Sequence, residues 1–297
     1  MRQRFTVALI SAATLLCDSA LAQTPATLDK VKASGSIAVA YRESSIPFSY
    51  LGGDAQPVGF GWEICGRIVE QVKKATGRAD LKVLPVAVTS QNRIPLLQNG
   101  TVDIECGSTT NNAERAKQVA FAINYFYTGT RLMVKSDSPV KSLADLKGKR
   151  VVSTTGTTNL LVLRKIGAER HLDFDLMAAK DHAESLLLVQ GGRADAFGMD
   201  DILLYGLRAS ARNPEQLAVV GEAIQVEPYA IMLRKDDPAF KKLVDDVLVG
   251  LINSGAFEAL YNKWFLSPIP PKGINLNAPM SKALRDNLKS LSDKPAT

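Results

Sequence analysis

The chain has 297 residues, 46% of them hydrophobic and 22% charged, with a formal net charge of +6. Lys and Arg alternate with Asp and Glu, as in Lys235-Asp236-Asp237 and in Lys241-Lys242 followed by Asp245-Asp246, so the concentrated basic face expected of a nucleic-acid binder is missing. With only His171 and His182 and no Cys-x-x-Cys or His-x-x-x-His spacing, a metal site lacks ligands, and no motif calls for a cofactor.

At the start of the chain, Arg2 and Arg4 precede an apolar run from Phe5 to Leu16 and a small-residue site at Ala20-Leu21-Ala22. This is the pattern of a signal peptide, 1–22, cleaved before Gln23. The run is about a dozen residues, short of the roughly 20 that a spanning helix needs. Cys17 offers a lipid attachment point, but Leu16 before it is bulky where a small residue is wanted. Cleavage removes Arg2, Arg4 and Asp18 and leaves +5. Nothing after Gln23 is long and apolar enough to span, so a soluble product of about 275 residues is expected, a size at which chains divide into two domains. Exported chains meet an oxidising compartment, where Cys65 and Cys106 either pair or remain two separate buried thiols.

Short β-rich runs then alternate with amphipathic segments, which favours α/β architecture. Ser36–Ala40, Leu81–Val88 and Val102–Cys106 read as strands, with helices at Trp62–Ala75 and Ile94–Gln98. After the apolar-aromatic passage Val119–Val134, strands are expected at Arg150–Thr154, Phe174–Ala179, Ala194–Met199 and Leu217–Gly221, separated by helices at Thr158–Lys165, Ala183–Val189 and Ile202–Arg212. Leu96 to Asp103 echoes Leu188 to Asp195, each a helix end, a left-handed Gly or Asn cap and a buried strand, which suggests two related lobes. Pro238–Phe265 reads as one long helical region with a docking face at Phe240, Leu243, Val247, Leu248 and Leu251. Beyond Pro268 a polar, Pro-rich surface strap is expected, frayed at its end.

Polar clusters follow the strands rather than precede them, where ligands meet a doubly wound sheet. They are Tyr41 to Ser45, Thr89 to Arg93, Gly107 to Thr110 and Thr154 to Thr158, the last leading into a helix whose free N–H groups suit a carboxylate. Arg93 opens a helix, a poor place for a cation unless an anion binds there. Arg42 follows an apolar strand, His182 beside Asp181 opens another helix, and Asp200 ends the strand Ala196 to Asp200, where its carboxylate can meet an ammonium group.

Tyr41 through Tyr50 (YRESSIPFSY), Thr89 through Gly100 (TSQNRIPLLQNG), Cys106 through Asn112 (CGSTTNN), Ala179-Lys180-Asp181-His182 and Leu233 through Pro238 (LRKDDP) resemble the polar-amino-acid solute-binding proteins of ABC transporters, above all those for glutamate and aspartate. The resemblance covers nearly the whole mature chain. It implies a periplasmic-binding-protein type II (Venus flytrap) fold: 23–128 plus 234–297 as lobe 1 and 129–233 as lobe 2, joined by crossover strands around Gly129–Val134 and Tyr229–Leu233. It further implies Arg93 with Thr158 and nearby amides on a ligand α-carboxylate, Thr155 beside them, Asp200 with Ser108 and Thr110 on the α-ammonium, and Arg42, Ser90 and His182 on the side-chain carboxylate. Gly107 and Arg115 stand one residue further apart than the wider family's pattern, which leaves the division of roles among Ser108, Thr109 and Thr110 open.

The implied function is capture of glutamate or aspartate in the periplasm by a monomer that delivers it to permease subunits of an inner-membrane ABC importer. With bound glutamate, Arg42, Arg93 and Asp200 sum to zero charge. Two rival classes share the scaffold: a soluble sensor module for a chemoreceptor or kinase, and a dehydratase in which His182 or Glu43 serves as acid or base. Against catalysis stand the missing Gly-x-Ser-x-Gly elbow and the lack of a further histidine.

Overall fold

The computed structural model describes residues 26–296, so the signal peptide expected over 1–22 lies outside the described residues. Helix α1 (Thr27–Ser34) and strand β1 (Ser36–Tyr41) are followed by β2 (Ser44–Ser45), β3 (Ser49–Leu51) and β4 (Pro57–Val58), which form a small antiparallel sheet. Next come α2 (Phe60–Thr76), β5 (Lys82–Ala87), α3 (Arg93–Gln98), β6 (Ile104–Glu105) and α4 (Ala113–Ala116). The apolar-aromatic passage is one 17-residue strand, β7 (Val119–Lys135). Beyond it lie β8 (Arg150–Thr154), α5 (Thr158–Glu169), β9 (Asp175–Ala179), α6 (His182–Gln190), β10 (Ala196–Asp200), α7 (Asp201–Ser210), β11 (Leu217–Val220), β12 (Val226–Arg234), α8 (Pro238–Asn253), α9 (Ala256–Phe265) and α10 (Lys282–Ser290).

Local chemistry explains the main elements. In α2, Phe60, Ile64, Cys65, Ile68, Val69 and Val72 recur at helical spacing and are buried, and Gly77 ends the helix in a left-handed conformation at φ 67°. The strands of the large sheet run in the order β5-β1-β6-β12-β7-β10-β8-β9, with β11 also paired to β7. Pairing is parallel within β5-β1-β6 and within β10-β8-β9 and antiparallel wherever β7 or β12 takes part. Two α/β half-sheets therefore share one β7–β12 ladder.

That ladder runs from Val226 opposite Gly129 to Arg234 opposite Val119. Within Gly129–Val134, expected as a crossover, Gly129 is the last residue of β7 paired with β12 and Thr130 the first paired with β10, so the strand changes partners there without a break. Helices α8 and α9 return to the first half and pack on α2. Their expected single helical region breaks at Ser254-Gly255, where Gly255 adopts φ 76°. The strap after Pro268 is also more ordered than expected: it holds α10, with Leu284 and Asn287 buried.

The echo has a shared hydrogen-bond logic. Gly100 and Gly192 follow α3 and α6 at φ 76° and 68°, and Asp103 and Asp195 then accept the backbone amides of Ala38 and Arg150, each at 2.8 Å. In both halves the aspartate ties the start of one strand to its neighbour.

Candidate functional site

The carboxyl ends of β1, β5 and β6 face those of β8, β9 and β10 across a narrow polar cavity of about 10 Å³. Of the nine residues singled out from sequence, Ser90, Arg93, Ser108, Thr110, Thr158, His182 and Asp200 line it. Arg42 stands just behind, 2% exposed, with its Nη2 donating to Ser90 Oγ at 2.8 Å and lying 3.2 Å from His182 Nε2. Thr155 is placed elsewhere: it is half-buried, and its amide donates to Ala179 O at 2.9 Å, which extends the β8–β9 ladder.

Short motifs position these groups. Thr157 caps α5 by accepting the Leu160 amide, and Asp181 caps α6 by accepting the Glu184 amide, so Thr158 and His182 both open helices at the cavity. Gly156, at φ 79°, packs so closely on Gln91 that an added Cβ would lie 2.6 Å from its Cα, a contact between the two halves. Cys65 and Cys106 form a disulfide with Cα atoms 5.9 Å apart, which ties α2 to the start of the Gly107–Thr110 loop.

The hydroxyl network fixes the state of His182. Ser185 Oγ donates to Asp181 O at 3.0 Å, so Thr154 Oγ1, 3.0 Å away, gives its one hydrogen to Ser185. His182 Nδ1 then donates to Thr154 at 2.9 Å, and Nε2 is left as an acceptor for Arg42. Burial, then Arg42 and Arg93, pushes the His182 pKa well below the usual value, in keeping with a neutral ring. His182 was expected to face an anion as a donor; in this network it orients Arg42 instead.

Four contributors escaped the sequence reading, which had already placed Thr157 in a polar cluster. Arg115, on the short helix α4, is buried in the cavity wall and donates to Thr110 O at 3.0 Å and Gly156 O at 3.1 Å. Thr157 and Asn159 also line the cavity. Glu105 and Glu227 are buried nearby, 0% and 5% exposed. A signal existed for Glu227, which is a lone charge at the margin of an apolar strand, where unpaired burial is costly. The expected balance of Arg42, Arg93 and Asp200 thus held half of the charges: three guanidiniums meet three carboxyls before any ligand is counted.

Electrostatics at the site are dominated by burial. It pushes Arg42 down to about 9, with Arg93 adding to the effect and Glu105 opposing it. Arg115 is likewise pushed down to about 9 by burial and Arg93, against Glu227, Asp200 and Glu105. Arg93 is lowered by burial and held up by Glu105, Tyr229 and Asp200. Asp200 is raised to about 7 by burial and by Glu227, although Asn159 Nδ2 at 2.8 Å and the Tyr229 hydroxyl both donate to it. Arg42 Nη1, Arg93 Nε and Ser108 Oγ are buried with no hydrogen-bond partner in the protein. Glu105 Oε1 and Asn159 Oδ1 are buried acceptors in the same position, and since such groups are expensive to leave unpaired, the site suits a ligand that brings both acceptors and donors. Among the described residues there is no cluster of His, Cys, Asp and Glu able to hold a metal ion.

The family profile of bacterial extracellular solute-binding proteins, family 3, matches residues 37–267. The L-glutamate/L-aspartate-binding protein of Pseudomonas aeruginosa is 49% identical over 271 residues, 91% of this chain and 90% of that one. The glutamate/aspartate import solute-binding protein of Escherichia coli is 46% identical over 285 residues, 96% of this chain and 94% of that one. Among solved structures, a mutant of ArgBP from T. maritima superposes with a TM-score of 0.71 at 26% identity, covering 80% of this chain and 98% of that chain. The two-lobed α/β fold implied by the sequence is borne out by this likeness.

Proposed function

Since the chain belongs to family 3 of the bacterial extracellular solute-binding proteins, we propose that it captures glutamate or aspartate in the cavity between its half-sheets and delivers it to an ABC importer. The observation that carries the ligand class is the group of buried donors without a protein partner, Arg42 Nη1, Arg93 Nε and Ser108 Oγ, at a cavity whose wall also holds an acid, Asp200. An amino acid with a second carboxylate supplies two anions for the guanidiniums and one ammonium for Asp200.

Arg115 stands at the start of α5, where the free amides of the helix also point, so in this reading it clamps the α-carboxylate. That moves Arg93 from the role given to it by sequence. Together with Arg42, Ser90 and Ser108 it forms the end that receives the side-chain carboxylate. Asp200 and Thr110 take the ammonium. Glutamine in place of glutamate leaves a buried guanidinium without its anion, at a cost of about 1–3 kcal/mol, or roughly tenfold to a hundredfold in affinity. The surrounding biology follows the same reading: export by a cleaved signal peptide, two lobes at 23–128 plus 234–297 and at 129–233, a monomer that presents its closed form to permease subunits, and binding without catalysis.

Calorimetric titration with glutamate, aspartate, glutamine and lysine tests the proposal. The acids should bind at least tenfold more tightly than glutamine, and Arg42→Met should weaken the acids far more than the amide. Binding of lysine or glutamine as tight as that of glutamate would sink the assignment.

A further inference from the structure

We infer that Glu227 is a positioning residue that sets the polarity of the ammonium subsite by engaging the hydroxyl hydrogens of Thr110 and Thr158; the inference rests on the amino-acid ligand proposed above. Glu227 lies on β12, behind the cavity wall. Its Oε2 accepts from Thr110 Oγ1 at 3.0 Å and from Thr158 Oγ1 at 2.6 Å, and its Oε1 accepts from Gln225 Nε2 at 2.6 Å. The two threonine oxygens are 3.4 Å apart, both in the cavity wall.

A hydroxyl has one hydrogen and two lone pairs, whereas a carboxylate can only accept. With both hydrogens turned to one oxygen of Glu227, each threonine can offer the cavity nothing but lone pairs. Asp200 adds a third acceptor to the same wall, fixed from behind by Asn159 at 2.8 Å. Three acceptors match the three N–H donors of an ammonium group and repel a carboxylate, so the wall tells the two ends of an amino acid apart. Thr110 comes from the loop after β6 and Thr158 from the start of α5, on opposite half-sheets. The wall is therefore complete only when both halves meet at Glu227.

Three variants and two ligands decide the matter, with glutarate serving as glutamate without its amino group. Glu227→Met removes the acceptor, frees both hydroxyls to rotate, and should weaken glutamate tenfold or more while changing glutarate, measured by competition, less than threefold. Glu227→Gln should stay within about threefold of wild type for both ligands, because an amide oxygen can take the place of Oε2 while Gln225 turns its own oxygen to the new NH2. Equal losses of the two ligands in Glu227→Met, or a Glu227→Gln defect as large as that of Glu227→Met, overturns the inference. Should Glu227→Met not fold, Thr158→Val carries the same comparison, and an unchanged ratio of glutamate to glutarate affinity rejects it. Failure of wild type to bind glutamate at all would instead strike the proposed function.

Discussion

Asp200 is a carboxyl in three conflicting demands: it is buried, it lies near Glu227 and Asp201, and its proposed ligand needs it ionised. In the closed fold, before an ammonium is counted, its pKa is raised to about 7, above its ordinary value. Its contribution to folding is therefore complete below the unfolded value and is lost as pH rises through about 7. Binding an ammonium reverses the preference, since only the carboxylate attracts it. Below about 7 the site must release a proton to bind, and affinity should fall about tenfold for each pH unit. Glutamate affinity is thus expected to be roughly tenfold weaker at pH 6 than at pH 8, and titrations at pH 6 in buffers of different ionisation enthalpy should show release approaching one proton. A flat affinity across that range, or proton uptake, would remove Asp200 from the ammonium. His182 adds no opposing step near neutrality while burial and the two arginines hold it neutral.

Individual residues at the site were legible where a polar side chain follows an apolar strand, which is how Ser90, Ser108 and Asp200 were found. Arg115 and Glu105 were not, because their importance comes from burial in a tertiary cluster. Arg115 sits on a four-residue helix that, by pattern, passes for a surface turn.

At the scale of elements, periodicity placed the strands of both halves within a few residues, since most are short apolar runs bounded by polar residues or Gly. It failed at the end of the chain. The sequence after Pro268 reads as a polar strap, yet Leu284, Leu288 and Leu291 recur at helical spacing and pack on the core, and side-chain hydrogen bonds add to the hold. Asn287 Nδ2 donates to Asn124 O at 2.7 Å, Tyr127 donates to Asn287 at 3.0 Å, Asn124 Nδ2 donates to Lys294 O at 2.9 Å and Asn111 Nδ2 donates to Asp293 O at 2.8 Å. Asn124 and Tyr127 belong to β7, and Asn111 adjoins Thr110 of the cavity. This segment lies outside residues 37–267 matched by the family profile, and it grips the shared ladder. Removing 281–297 strips these bonds and leaves buried amides unpaired, at about 1–3 kcal/mol each. With each 1 kcal/mol moving the midpoint by about 2–4 °C in a chain of this size, thermal denaturation should show a fall on the order of 5–15 °C. A truncated chain with an unchanged midpoint would show that the strap is ornamental.

The molecule as a whole is shut around its cavity, and two glycines mark where the halves touch. Gly156 lies against Gln91, and Gly206 of α7 lies so close to Ile46 that an added Cβ would sit 2.4 Å from the Ile46 carbonyl oxygen. The two sites differ in a useful way. Gly156 has positive φ, so a substitution there strains its own backbone, whereas Gly206 is an ordinary helical residue. Within a helix, Ala is better than Gly by about 1 kcal/mol. Gly206→Ala should therefore leave the ligand-free protein as stable as wild type or more so, because opening moves Ile46 away. The closed form alone meets the clash. A ligand gripped from both sides selects that form, so its apparent affinity falls in proportion to the population of closed molecules. The expected outcome is an unchanged or raised melting temperature without ligand, a glutamate affinity at least tenfold weaker, and less compaction by small-angle scattering at saturating glutamate. Wild-type affinity with full compaction in Gly206→Ala would mean that closure does not bring α7 onto Ile46, and a loss of ligand-free stability would mean that the contact belongs to the fold rather than to the hinge.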